Sequence, residues 1–341
     1  MLSGEMSPAR PLHIGLVYET FDTYPRRRGE PRDAHAEYEP ERTIEVLEAA
    51  IEHLGHRPLR LGSPHRLLEL IGRRAMPELD AGLNVAEGYG GRNREAWAPV
   101  LLEMARIPAL GSDALSLSAS LDKAWANRLV ARARVPVAPQ CVLSSAEEAE
   151  TATLPAAFPL FVKPRWEGTS KGIRSSSRIA SRAELVREVA RIAADYRQPA
   201  LVEAFLPGAE YTVTLVGNRP VRALPVLQRA LERRTRIGLH ALEGGGDGEL
   251  EHFLPGQLGA ELEAELQTLA RQAFAALECR DFARVDFRLD ADGQPVFLEI
   301  NPLPTFAVDG SFGILAELEG RALEELVADV LAEGLRRLQL A

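Results

Sequence analysis

RVDFRLDADGQPVFLEIN, residues 284–301, reads as two short strands around a turn at Asp290–Gln294. Alternation puts Val285, Phe287 and Leu289 on one face of the first strand, with Arg284, Asp286 and Arg288 on the other. In the second strand Val296, Leu298 and Ile300 share a face, leaving Phe297, Glu299 and Asn301 opposite. Matching the apolar sets pairs Val285 with Ile300, Phe287 with Leu298 and Leu289 with Val296. That register sets Asp286 across from Glu299. Like charges directly opposed cost a sheet up to roughly 1 kcal/mol, and a bound cation removes the cost. Two carboxylates and an amide form a hard oxygen set suited to Mg²⁺, which takes few protein ligands and fills its shell with water and phosphate. Arg284, on the same face, is placed to stabilise developing negative charge. A solvated polar face would also carry such residues; the matched Arg-x-Asp and Glu-x-Asn pairing favours metal.

A second informative stretch lies upstream. FVKPRWEGTSKG (161–172) contains a formal G-x-S-x-G, the serine-hydrolase elbow. An elbow needs a strand running into the first glycine and a helix just after the serine. Here the strand ends at Lys163, Pro164 stops it, and the residues after Gly172 look extended. The elbow therefore fails on context, and Ser170 is not read as a nucleophile. Gly168, Thr169, Ser170 and Gly172 instead allow close backbone approach to an anion, with Lys163 as a point charge beside them. An exposed turn with a solvated lysine is the plain alternative for this stretch taken alone. It is not a Walker A loop.

Outward from these motifs the chain alternates. LHIGLVYE (12–19), PLRLG, AGLNVAEG and IPALGS read as strands. Between them lie helical segments, the first with Ile44, Leu47, Ile51 and Leu54 at helical spacing and Gly55 as its stop. That is the pattern of a small parallel sheet with helices on its faces. LDKAWANRLVARARV reads as a helix with Lys123 in its first turn, FPLFVK as a strand, and IRSSSRIA (173–180) as extended. Ser181 with Glu184 opens a further helix by a capping box. PALVEAF is a strand, and AEYTVTLVGNRPVRALPV a hairpin turning at Gly217-Asn218. Residues 228–253 carry Arg229, Arg233, Arg234 and Arg236 and the run EGGGDGE, which suits a mobile active-site loop or a surface insertion. GAELEAELQTLARQAFAALEC is a long helix, and an amphipathic helix begins near Arg321.

Composition narrows the class. The chain has 341 residues, enough for two or three domains. A net charge of −9 argues against a nucleic-acid partner. No apolar run approaches the ~20 residues of a membrane span, and the N-terminus has no signal-peptide core. Two cysteines, Cys141 and Cys279, are too few for a disulfide framework or a zinc site. The expectation is a cytoplasmic mixed α/β enzyme.

Taken together, these residues resemble the ATP-grasp carboxylate–amine ligases, in the D-alanine–D-alanine ligase branch, from about Gly82 to Phe312. FVKPRWEGTSKG resembles the family's V-K-P-x-x-E-G-S-S-x-G, LVEAFLPGAEYTV its E-x-x-x-x-G-x-E-x-[ST]-V, and RVDF with LEINPLP its R-x-D-F and E-x-N-T-x-P. The resemblance implies an ATP-grasp fold of three parts: an N-terminal parallel α/β domain (1–120), a central nucleotide-binding lid (121–205) and a C-terminal α+β catalytic domain (206–341). It implies that Lys123 and Lys163 contact nucleotide phosphates, with Glu167, Gly168, Thr169, Ser170 and Gly172 in the loop over them. It also implies an adenine pocket at Glu203, Ala204, Phe205 and Leu206, and Glu210 on the ribose. Asp286, Glu299 and Asn301 would hold two Mg²⁺ ions, for which Mn²⁺ can substitute, and Arg284 would contact the transferred phosphoryl group. The implied reaction is carboxylate activation by ATP to an acyl phosphate, then attack by an amine to give an amide, ADP and phosphate. Partners would be small amino acids or carboxylates, with a homodimer left open.

Three departures bear on substrate. The family's N-terminal E-x-E-V-S has only Glu37 and Glu39 as stand-ins. Its loop tyrosines and lysine are absent, with Arg234 or Arg236 as the nearest replacements for the lysine. Thr305 stands where a glycine lines the acceptor site, while Ser311 remains to meet an acceptor carboxylate. Lys171 occupies a loop position that is usually apolar in the family. The expectation is an amide or dipeptide ligase with altered substrates. The alternatives are a true D-alanine–D-alanine ligase and a catalytically silent nucleotide-binding module of the same fold.

Overall fold

The computed structural model describes residues 10–229 and 258–341. Three four- or five-stranded sheets organise it. The first is parallel, ordered β2-β1-β3-β4, with β1 His13–Val17, β2 Arg57–Gly62, β3 Ala81–Asn84 and β4 Ala109–Leu110. Helix α1 (Glu41–His53) buries Ile44, Leu47 and Ile51 against it, the spacing the sequence carries. Helices α2 (Pro64–Gly72) and α3 (Trp97–Met104) put Leu67, Ala98 and Leu102 in a second cluster with Val17 and Leu61.

The chain then runs through α4 (Ala114–Leu121) and α5 (Lys123–Arg132). Asp122 breaks them apart: its backbone is extended and its side chain accepts the Trp125 N–H, capping α5. Lys123 is therefore fixed at the first position of α5. Ala126 and Val130 of α5 pack into the core of the third sheet.

The second sheet is antiparallel, ordered β5-β8-β6-β7: β5 Gln140–Leu143, β6 Leu160–Pro164, β7 Arg178–Ile179 and β8 Ala200–Ala204. Helices α6 (Ala146–Thr151) and α7 (Arg182–Tyr196) cover it, and Ser181 caps α7 as expected. The stretch 173–180 is mostly not extended. Ser175–Ser177 form a 3-10 turn, in which the Arg174 N–H donates to the buried Ser177 hydroxyl at 3.0 Å, and only Arg178–Ile179 pair as a strand. Serine hydroxyls bonding the local backbone compete with ladder bonds.

The third sheet is antiparallel, ordered β10-β9-β12-β13, with β11 also on β9. Its strands are β9 Glu210–Val216, β10 Arg222–Ala223, β11 Leu227–Arg229, β12 Phe282–Leu289 and β13 Pro295–Asn301. The β9–β10 turn at Gly217 is the expected hairpin, and α8 (Ala260–Ala276) packs on the sheet. Two last helices, α9 (Ser311–Glu319) and α10 (Leu323–Arg337), return to the first sheet, where Val327 and Leu331 join Ile14, Leu16 and Leu47. Fully buried Asp281 fastens this return. It accepts the Gly111 N–H at 2.7 Å, pairs with Arg337 at 2.6 Å and accepts from Asn218 at 2.9 Å. The fold is the expected α/β ATP-grasp architecture.

Candidate active site

A cavity of about 400 Å³ lies where the three sheets meet. Strands β12 and β13 form its floor. Val285 pairs with Ile300 and Asp286 with Glu299, as the alternation predicts, but the ladder shifts between Asp286 and Phe287. Beyond the shift Phe287 pairs with Phe297 and Leu289 with Pro295, not with Leu298 and Val296. Leu298 is the extra residue of a bulge. The bulge sends Phe297 into the core, 1 % exposed against Phe287, while Glu299 keeps its place on the cavity face. Leu298 itself lines the cavity beside Leu206, correcting the expected polar face of Phe297. Strict period-two reading has no means of seeing one inserted residue.

Cations crowd the carboxylates of the floor. Arg284 lies 3.0 Å from Asp286 and 3.8 Å from Glu299, and Lys123 lies 3.1 Å from Glu299. The Thr212 hydroxyl donates to Asp286 at 2.7 Å. Burial alone would raise the Glu299 carboxyl, but Lys123, Lys163 and Arg284 overcome it and hold it down at about 2. Asn301 accepts the Leu303 N–H at 3.0 Å. Among the described residues no group of three or more Asp, Glu, His or Cys is arranged to hold a metal. The donor set here is two carboxylates and one amide oxygen, which fits an ion that relies on phosphate and water for its remaining ligands.

The roof comes from the second sheet. Lys163, at the end of β6, is buried and pairs with Glu203 of β8 at 2.8 Å. Ala204, Phe205 and Leu206 follow Glu203 along the cavity wall, and Glu210 opens β9 below them. Burial raises the Glu210 carboxyl despite Arg288 at 3.6 Å. The loop 168–172 folds over the cavity with Thr169 and Ser170 at φ 47° and 56° and Gly172 at φ 80°. Left-handed backbone is uncommon for residues other than glycine, so something must hold it. Lys123 donates to the Glu167 carbonyl, tying α5 to this loop.

The remaining wall belongs to the segment before α1 and to the loop after β13. Phe306 stacks on Phe312 at 4.9 Å and meets Phe282 edge-on, which seats residues 305–310. The Thr305 hydroxyl donates to Glu39 at 2.9 Å. Burial raises the Glu39 carboxyl, and among the described residues neither Glu39 nor the cavity-lining Glu87 makes an ion pair. Glu37 differs: it is clasped by Arg94 and by Lys171 at 2.9 Å. Burial would raise its carboxyl, yet these two cations bring it down to about 2. Ser311 is buried at the start of α9, within 3.3 Å of the Arg229 guanidinium, and Arg229 lines the cavity.

All the expected site residues except Gly168, Gly172 and Ser311 thus line one cavity, and those three touch it through neighbours. Arg94, Glu87, Leu298 and Thr212 were not anticipated. Glu87 and Arg94 sit in LNVAEGYGGRNREA (83–96), a stretch without periodicity in which Arg92 and Glu95 are charged as well, so nothing local singles them out. Arg234, Arg236 and EGGGDGE lie outside the described residues.

Comparison with known proteins agrees with this architecture. The family described as "D-ala D-ala ligase C-terminus" matches residues 129–332. An uncharacterised protein, y4sG, of Sinorhizobium fredii is 32 % identical over 87 % of this chain and 88 % of its own. A D-alanine–D-alanine ligase of Alcanivorax borkumensis is 30 % identical over 87 % of this chain and 91 % of its own. Two solved structures share the fold. The VanG D-Ala:D-Ser ligase of Enterococcus faecalis has a TM-score of 0.69 at 19 % identity, over 95 % of this chain and 99 % of that one. A D-alanine–D-alanine ligase of Bacillus anthracis complexed with ATP has a TM-score of 0.68 at 18 % identity, over 96 % and 98 %. The match over most of both sequences settles descent: this chain belongs to the D-alanine–D-alanine ligase family of ATP-dependent ligases.

Proposed function

We propose that the protein joins a small carboxylate, such as an amino acid, to an amine at the expense of ATP. The observation that carries this reading is the meeting of Lys123, Lys163 and Arg284 with Asp286, Glu299 and Asn301 in one cavity, drawn from a helix and two sheets. In this reading Lys123, Lys163 and the N–H groups of 168–172 hold the nucleotide phosphates. Glu203 to Leu206 bound the adenine, Glu210 meets the ribose, and Leu298 closes the apolar side. Mg²⁺ held by Asp286, Glu299 and Asn301 would neutralise phosphate charge and keep donor and phosphate in line.

A carboxylate oxygen of the donor attacks the γ-phosphorus; that O–P bond forms as the bond to the ADP oxygen breaks. The amine nitrogen then attacks the acyl carbon, the C–O bond to phosphate breaks, and the amine gives up a proton. Arg284 lies where negative charge develops in both steps. Glu37 is already neutralised by Arg94 and Lys171, so Glu39, which lacks a cation, is assigned the donor ammonium, held in place by Thr305. Ser311 and Arg229 are assigned the acceptor carboxylate. Thr305 and Lys171 depart from the family pattern in the walls that would touch substrate, which favours substrates other than two D-alanines. The name of the Alcanivorax relative favours the second reading, a D-alanine–D-alanine ligase.

The test is ADP release from Mg-ATP across a panel of D- and L-amino acids and small carboxylates, with mass spectrometry of products from active pairs. Release that depends on a pair, with a product heavier by condensation, supports ligation. ATP binding without any stimulated turnover, unchanged by Glu299→Gln, would leave a silent nucleotide-binding module instead.

A further inference from the structure

Lys171 carries a charge that phosphate binding and amide formation do not account for. Its Nζ sits 2.6 Å from Glu167 and 2.9 Å from Glu37, with the side chain 11 % exposed. The second oxygen of Glu37 accepts the Gly168 N–H and the Arg94 guanidinium. One buried carboxylate of the N-terminal segment therefore grips the glycine loop at both ends of its turn. Arg94 adds a bond to the Trp166 carbonyl at 2.8 Å. Four residues before Glu37, Asp33 accepts the Gly172 N–H at 2.7 Å and the Tyr196 hydroxyl at 2.7 Å. Between these grips lie Thr169 and Ser170 in left-handed backbone, a conformation that persists only when its surroundings over-determine it. A buried ion pair adds little to stability, and in some proteins it fixes a unique geometry instead. A lysine already held by two carboxylates has little left to give a phosphate directly.

We propose that Lys171 is a positioning residue: through Glu37 it fixes the glycine loop in the turn that faces the nucleotide, and ties that loop to the wall carrying Glu39. The proposal rests on the nucleotide reading of the cavity. Its effect on the reaction is indirect, because no atom of Lys171 needs to touch a reacting group. Glu37 lies two residues from Glu39, so a disturbance of the donor wall is carried to the loop through the bonds of Glu37 to Lys171 and the Gly168 N–H.

Titration calorimetry of the whole chain with AMP-PNP and Mg²⁺ tests it. Wild type should bind; if it does not, the nucleotide reading itself fails. Lys171→Met should weaken binding about tenfold, worth about 1.4 kcal/mol, while Lys171→Arg should stay close to wild type. Glu37→Gln should match Lys171→Met. The double variant should be no weaker than the weaker single one, because both act through one pair. Wild-type affinity in Lys171→Met overturns the proposal. So do losses that add in the double variant, which would move Lys171 to direct phosphate contact. Thermal unfolding checks that each variant folds. If Lys171→Met does not, Lys171→Gln, which removes the charge but keeps a donor for Glu37 and Glu167, takes its place and should weaken binding several-fold; unchanged affinity there also overturns the proposal.

Discussion

Asp286 lies directly across from Glu299 on neighbouring strands of the third sheet, and Arg284 reaches both carboxylates. Such an opposition works against folding unless cations offset it. Lys123, from a helix, and Lys163, from another sheet, supply part of the offset, and the Mg²⁺ of the proposed reaction would supply more. Glu299→Gln should therefore abolish Mg-dependent ADP release, by about a hundredfold or more given the size of single electrostatic contributions. AMP-PNP binding without Mg²⁺ should survive. Loss of both in parallel would mean that Glu299 serves the fold rather than the metal.

Lys163 and Glu203 are buried together, so deleting either leaves an uncompensated charge. Lys163→Met should destabilise by roughly 3–5 kcal/mol. Lys163→Met combined with Glu203→Gln should recover much of that stability without recovering turnover. Chemical denaturation of Lys163→Met, Glu203→Gln and the double variant measures the coupling, and equal destabilisation of single and double variants would contradict it.

The bulge at Leu298 makes a prediction that a regular hairpin does not. Deleting Leu298 leaves a ladder in which Phe297 still meets Phe287 and Glu299 still meets Asp286. The deletion variant should fold, keep its metal-dependent behaviour and lose affinity for the adenine nucleotide. Leu298→Ala should lose less, around 1 kcal/mol from reduced apolar contact. Unfolding on deletion would show that the register depends on the bulge.

How far the sequence reaches is set by range. Lys123, Lys163, Glu203, Glu210, Asp286, Glu299 and Asn301 sit on strands or helix ends whose periodicity and turn residues are local, and all of them line the cavity. The half of the β12–β13 register next to Asp286 was legible for the same reason; the half beyond the bulge was not. The segment before the first helix has no period, so nothing local distinguishes Glu37, neutralised by Arg94 and Lys171, from Glu39, which faces Thr305. Those pairings join residues 57 and 134 positions apart. The packing of α10 on the first sheet through Asp281 and Arg337 is equally nonlocal.

Asp281 offers a test of that return. Fully buried, it serves Arg337, Gly111 and Asn218 at once. Asp281→Ala takes the carboxylate from the half-buried Arg337 and strands the Gly111 N–H, and should destabilise by about 1–3 kcal/mol. Arg337→Met with Asp281→Asn should be milder. A stability change within about 0.5 kcal/mol for Asp281→Ala, by denaturant titration, would show that the helix is held by its apolar face alone.

Acid and base act on opposite carboxylates of this molecule. Glu37 and Glu299 have folded values near 2, below the ordinary 4.5. Their contribution is complete above about pH 4.5 and disappears as pH falls toward 2. Glu95, buried next to Glu87, Glu37 and Arg94, runs the other way: burial and the charge of Glu37 raise it to about 7, against Arg94 and a hydrogen bond with Glu87. A carboxyl that holds its proton more tightly when folded stabilises at low pH, and that contribution is lost between about pH 4.5 and 7. Glu95→Gln keeps the shape without the titration. Its stability should equal wild type near pH 4.5 and exceed it at pH 8, by about 1–3 kcal/mol on linkage grounds. Denaturant midpoints of both proteins across pH 4–8 measure the difference, and curves that stay parallel over that range would mean that Glu95 carries the same charge folded and unfolded.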